Sequence, residues 1–161
     1  LFGTHSRFHK AVFEAPVNFS EVRFKGVAEF LEVTFRDAAD FSQAVFESGT
    51  GFSGSVFQGP ADFSGTEFTH ETFFRFSEFK DRSQFIRTDF EKTVDFSNAR
   101  FAQPADFSGV FFAVRPEHEG SNLTVPEFSR AWWQNPFILL TISVCLLLLI
   151  GIHYLRTGKN Q

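Results

Sequence analysis

From Phe8 to Phe112 the apolar positions follow a rhythm of alternating five- and six-residue steps without a slip, twenty phenylalanines in all. Two positions before every ring stands a small or β-branched residue, from Ser6, Ala11 and Val17 at one end to Ala99, Ala105 and Val110 at the other. An eleven-residue period also suits a right-handed helical coiled coil, so a helix has to be tested first. At about 100° per residue, rings five apart diverge by about 140° and each small partner lies about 160° from its ring, so no helical face buries them. In an extended chain residues i and i−2 share a side. The pattern therefore predicts short strands that turn the small residue and the ring inward and leave the flanking residues in water.

The unit is small-x-Phe-x-x followed by small-x-Phe-x-x-x, ten copies from Ser6 to Arg115. A five-residue strand buries nothing by itself, so the units must coil and stack. "ADFSG" at Ala61–Gly65 returns at Ala105–Gly109, and as "ADFSQ" at Ala39–Gln43, always a multiple of 22 residues away. This pattern resembles the pentapeptide-repeat family over about 110 of the 161 residues. The resemblance implies a right-handed, square-sided β-helix, and some members of the family bind topoisomerases by resembling a DNA duplex.

Members of that family usually repeat every five residues, and here alternate units carry one more. With three faces per coil the long corners would not lie above one another, whereas with four faces, 22 residues per coil, they do. Two faces would also keep them in line, so the spacing excludes three sides and the resemblance selects four. Pro16, Pro60 and Pro104 all occupy the inserted slot, 44 residues apart, at corners where a missing amide does no harm. The expected fold is an all-β solenoid, a right-handed quadrilateral parallel β-helix of about five coils spanning residues 1–115. At about 4.8 Å per coil the rod is roughly 24 Å long. Phe2 and the stretch Val114–Gly120 are expected to cover its ends, whose open edges would otherwise invite further pairing.

Residues 116–131 read as a polar linker, 132–155 as a single C-terminal transmembrane α-helix with an aromatic interface, and 156–161 as a short polar tail. Phe137 to Leu155, "FILLTISVCLLLLIGIHYL", holds nineteen residues without Asp, Glu, Lys or Arg and would span about 28 Å, the thickness of a bilayer's hydrocarbon core. Trp132, Trp133 and Tyr154 stand where interfacial anchors belong, with Arg156 just beyond. The lipid bilayer is thus an expected partner, through residues 137–155. Positive-inside counting favours a cytoplasmic C-terminus and a repeat domain outside the cytoplasm.

Charge and candidate chemistry add restrictions. The net charge of −4 and pI near 5.7 give no reason to expect a nucleic-acid partner. Residues 1–115 carry 16 acidic and 12 basic side chains, too balanced for good mimicry of DNA. The lone Cys145 allows no intramolecular disulfide. His5, His9, His70, His118 and His153 have no partners at metal-ligand or general-base spacing. No catalytic residue, metal, cofactor or small-molecule substrate is expected, and the chain is not read as an enzyme.

Two surface features remain. Asn18, Asp40, Asp62, Gln84 and Asp106 recur in the same slot before the ring, forming an acidic and amide stripe at about 4.8 Å intervals; Asx bonding on a solvated face accounts for it, with cation or basic-partner binding as the alternative. Phe73, Phe76 and Phe111 stand at outward slots and form a possible interaction patch for an unknown protein partner. The expected role is a membrane-anchored, non-enzymatic scaffold or protein-interaction module. The alternatives are a fragment of a larger membrane protein, with the repeat fused to a channel-like or multi-helix module, and a DNA-mimic topoisomerase-binding protein.

Overall fold

Each strand is two residues long and pairs in parallel with the strand 22 residues away, so that Ala61 lies between Ala39 on one side and Ser83 on the other. The computed structural model describes residues 2–124; the rest of the expected linker, the expected transmembrane segment 132–155 and the expected tail lie outside the described residues. Nineteen strands form four parallel sheets, the walls of a tube with 22 residues per coil. Face 1 holds Ser6–Arg7, Ala28–Glu29, Thr50–Gly51, Thr72–Phe73 and Val94–Asp95. Faces 2, 3 and 4 begin at Val12–Phe13, Val17–Asn18 and Arg23–Phe24. Four sides, which the spacing alone left open, are therefore observed.

The ladders alternate in direction. On faces 1 and 3 the amides of the small and ring residues point to the following coil, as from Phe8 N–H to the Glu29 carbonyl at 2.8 Å and from Phe41 N–H to the Asp62 carbonyl at 2.7 Å, while the amide between them points back, as from Asp106 N–H to the Ser83 carbonyl at 3.0 Å. On faces 2 and 4 it is the amides flanking each ring that point to the preceding coil, as from Thr34 N–H to Ala11 and from Val45 N–H to Val22, both at 2.9 Å.

Inside, the rings form four columns, each ring stacked on the one 22 residues away with centroids 4.7–5.3 Å apart and planes within 1–15°. The columns of faces 1 and 3 meet edge to face across the tube, Phe41 against Phe52 at 5.3 Å and 84°, Phe52 against Phe63 at 5.4 Å and 83°. Such pairs contribute about 0.5–1.5 kcal/mol each beyond the burial of area. The small inward residues leave room for the rings, and several also fasten coils together. Thr66 and Thr88 donate their hydroxyls to the carbonyls of Phe41 and Phe63 at 2.8 and 2.7 Å. Ser55 accepts from the Val33 amide at 3.0 Å while donating to the Phe30 carbonyl.

The corners obey a rule of their own. Two residues after each ring of faces 1 and 3 the backbone is left-handed, at Lys10, Glu21, Glu32, Gln43, Gly54, Gly65, Phe76, Arg87, Asn98, Gly109 and Gly120, with φ between 54° and 69°. Most of these corners close with a hydrogen bond back to the ring residue, as from Ala11 N–H to Phe8 at 2.9 Å, and the positive φ at the third position is the mark of a type II turn.

The ends differ from the expectation of simple covers. Phe2 bridges Phe24 and stacks on it at 4.9 Å, so it begins the fourth column. Beyond Arg115 the ladder continues: Asp95 bridges Glu117, and Pro116 is buried in the small-residue slot. His118 stands in the next ring position, 22 residues after Phe96, and Leu123 follows 22 after Phe101 and packs against the core. Repeat structure thus extends into the segment expected to be linker.

Candidate interaction faces

The stripe on face 3 is in vertical register, Asn18 beside Asp40, Asp40 beside Asp62, Asp62 beside Gln84, and Gln84 beside Asp106. Its carboxylates have a structural task. Oδ1 of Asp40 and of Asp62 accepts the amide of the serine two residues on, Ser42 and Ser64, at 2.8 Å, and Asn18 does the same for Ser20. Asp106 accepts both the amide and the hydroxyl of Ser108 at 2.9 and 2.6 Å, and these bonds hold its carboxyl below the usual carboxylate range. The recurring Asp-Phe-Ser is therefore an Asx turn that fixes the backbone around each ring. This is the Asx-bonded solvated face that the pattern suggested.

Face 1 carries the aromatic feature. Phe73 is half-buried, and the Arg75 guanidinium carbon lies 5.1 Å from its ring centroid. Arg75 Nε donates to Oδ2 of Asp95, one rung further along, and Asp95 is only 2% exposed. Oδ1 of Asp95 accepts the Ser97 amide at 2.7 Å. Burial pushes this carboxyl up, but the hydrogen bonds from Ser97 and the bond and charge of Arg75 outweigh it, leaving the group below the carboxylate range. Phe76 follows at a corner, 63% exposed with φ 56°. A bulky residue in the left-handed region is strained and marks a place to look for function.

Phe111 stands on face 4, next to Asp89, so it does not share a sheet with Phe73. Asp89, between Glu67 and Phe111, was not singled out by the sequence pattern. Its Oδ1 is buried with no hydrogen-bond partner among the described residues. Burial raises its carboxyl above the usual range, and Glu91 and Glu67 raise it further. Among the described residues no group of His, Cys, Asp and Glu is placed to hold a metal ion. Trp132, Trp133, Tyr154 and Arg156 lie outside the described residues, within which no helix is long and apolar enough to cross a membrane.

Residues 30–78 match the family model described as pentapeptide repeats, in nine copies. The chain carries pentapeptide repeats. The matched stretch includes both Phe73 and Phe76. No curated protein matches the chain. Among solved structures, a trypsin-treated form of QnrB1, a plasmid-mediated fluoroquinolone resistance protein, is similar at 12% identity, covering 89% of this chain and 95% of that chain with a TM-score of 0.20. A likeness that slight carries no argument, and the four-sided β-helix stands on its own ladders.

Proposed function

We infer that this pentapeptide-repeat chain is a membrane-anchored, non-enzymatic scaffold that presents flat β faces to protein partners. The observation that carries the reading is the strained, exposed Phe76 beside Phe73 on face 1, aromatic surface placed on a wall whose ring columns hold it rigid. The nineteen-residue apolar run from Phe137 supports the anchor. A display wall of this kind needs no cofactor; affinity comes from area and shape.

Membrane fractionation of the full chain, followed by protease protection, tests the anchor and its sidedness. Recovery of the chain in the soluble fraction would refute anchoring. Pull-down with the intact protein and with Phe73→Glu tests the display role, and capture of the same partners by both would refute a role for face 1.

A further inference from the structure

Coils three and four are matched oppositely on face 1. Thr50–Ser55 reads TGFSGS and Thr72–Ser77, one coil on, reads TFFRFS. The ladder sets Gly51 beside Phe73, and the same 22-residue offset sets Ser53 beside Arg75 and Gly54 beside Phe76. All three outward positions are small in one rung and large in the next. The face therefore has a recess and a ridge side by side, about 4.8 Å apart. Side chains of the preceding rung lie over it, Leu31 with its Cδ2 2.9 Å from where a Cβ on Gly51 would stand and Glu32 with its Cγ 3.3 Å from that on Gly54, so the recess is shallow and Leu31 is its apolar floor.

We propose that face 1 is a self-association surface, on which two copies of this chain pack antiparallel with the ridge of each in the recess of the other. A two-fold axis lying along the strand direction between the Gly51 and Phe73 rungs sets Phe73 over the partner copy's recess at position 51 and Phe76 over that at 54. This is the self-complementary arrangement an isologous interface requires. The axis falls at the middle of the face, which has six rungs, at Arg7, Glu29, Gly51, Phe73, Asp95 and Glu117.

Charge agrees with the antiparallel arrangement. The first rung and its corner carry Arg7, His9 and Lys10, which pair within the chain with Glu29 and Glu32; the sixth carries Glu117 and Glu119, and Asp95, which the same axis sets opposite Glu29, is held by Arg75. Reversing one rod brings the basic end of each copy to the acidic end of the other, whereas parallel rods would set like against like. Six rungs of about 4.8 Å by about 16 Å of strand bury on the order of 900 Å² in total, below the range of stable complexes, so association is weak and reversible.

The full chain tests this in a Cys145→Ser background, one pool carrying His9→Cys and the other Glu119→Cys, mixed and oxidised. Disulfides between the two pools should dominate over those within either pool. Adding Phe73→Glu with Phe76→Glu to both pools should cut the mixed product about tenfold, as expected for loss of the central anchors. Homodimers of the His9→Cys pool at equal or greater yield, no linkage, or a mixed product indifferent to the two glutamates would each overturn the proposal. The readout concerns register between copies, so failure of membrane anchoring leaves it unchanged, and it leaves anchoring unchanged in turn.

Discussion

Arg75 reaches across the Phe73 ring to hold Asp95, a carboxylate buried in a position that elsewhere in the repeat faces water. Removing the cation with Arg75→Ala strands that charge. The cost should be about 2 kcal/mol, less than for a fully enclosed pair because Arg75 is half-exposed. Urea denaturation at neutral pH measures it, and an unchanged midpoint would show the pair to be decorative.

The same carboxylate sets a pH dependence. Its folded pKa is lowered, so its contribution is fully present above the unfolded value of about 3.9 and is lost as pH falls through the folded value. Asp95→Asn should flatten the acid limb of a stability-against-pH curve. Asp89 has the opposite sign. With its folded pKa raised, the protein is penalised above that value and relieved as pH falls through it, so Asp89→Asn should stabilise near neutrality and gain less on mild acidification.

Ser83 is buried with its hydroxyl unpaired among the described residues, in a column where its neighbour is Ala61. Ser83→Ala removes a desolvated group without opening appreciable space. Stability should rise by about 1 kcal/mol. A fall measured by thermal unfolding would mean that the hydroxyl has a partner.

Phe63 stacks on Phe41 and Phe85 at 5.0 Å each and meets Phe52 and Phe74 edge-on at 5.4 Å. Truncation to Ala should cost about 3–5 kcal/mol, since a rod built of stacked rungs cannot collapse locally around the void. A chemical denaturation midpoint close to that of the parent chain would contradict the central position of the ring.

Phe76 pays for exposure and for its left-handed backbone together. Phe76→Asn, matching Asn98 one coil further in the same corner column, should stabilise the monomer by about 1 kcal/mol. It should also weaken linkage between copies. A gain in melting temperature without loss of linkage would separate strain from association.

The walls and columns were legible in the sequence because one residue type marks every ring position from Phe8 to Phe112, and a fixed 22-residue offset leaves no freedom of register. Other features carried no such mark. Left-handed corners usually announce themselves by glycine, yet Lys10, Glu21, Glu32 and Arg87 occupy them, because the turn geometry is imposed by the rungs above and below. The continuation past Arg115 was hidden because Pro116, His118 and Leu123 take inward or ring slots without matching the pattern. The burial of Asp95 depends on Arg75, twenty residues away, a tertiary relation that spacing does not reveal. The stripe was visible as a column, and its Asx bonding followed from residue type, whereas the recess and ridge of face 1 required the ladder to set Gly51 beside Phe73.

The alternating direction of the ladders has an electrical outcome. Within each wall successive peptide units point to opposite neighbours, as Phe85 N–H to Asp106 and Asp106 N–H to Ser83, so their dipoles largely cancel and the tube lacks the polarity that an α-helix of similar length would carry. Whatever approaches this molecule is steered by its side walls.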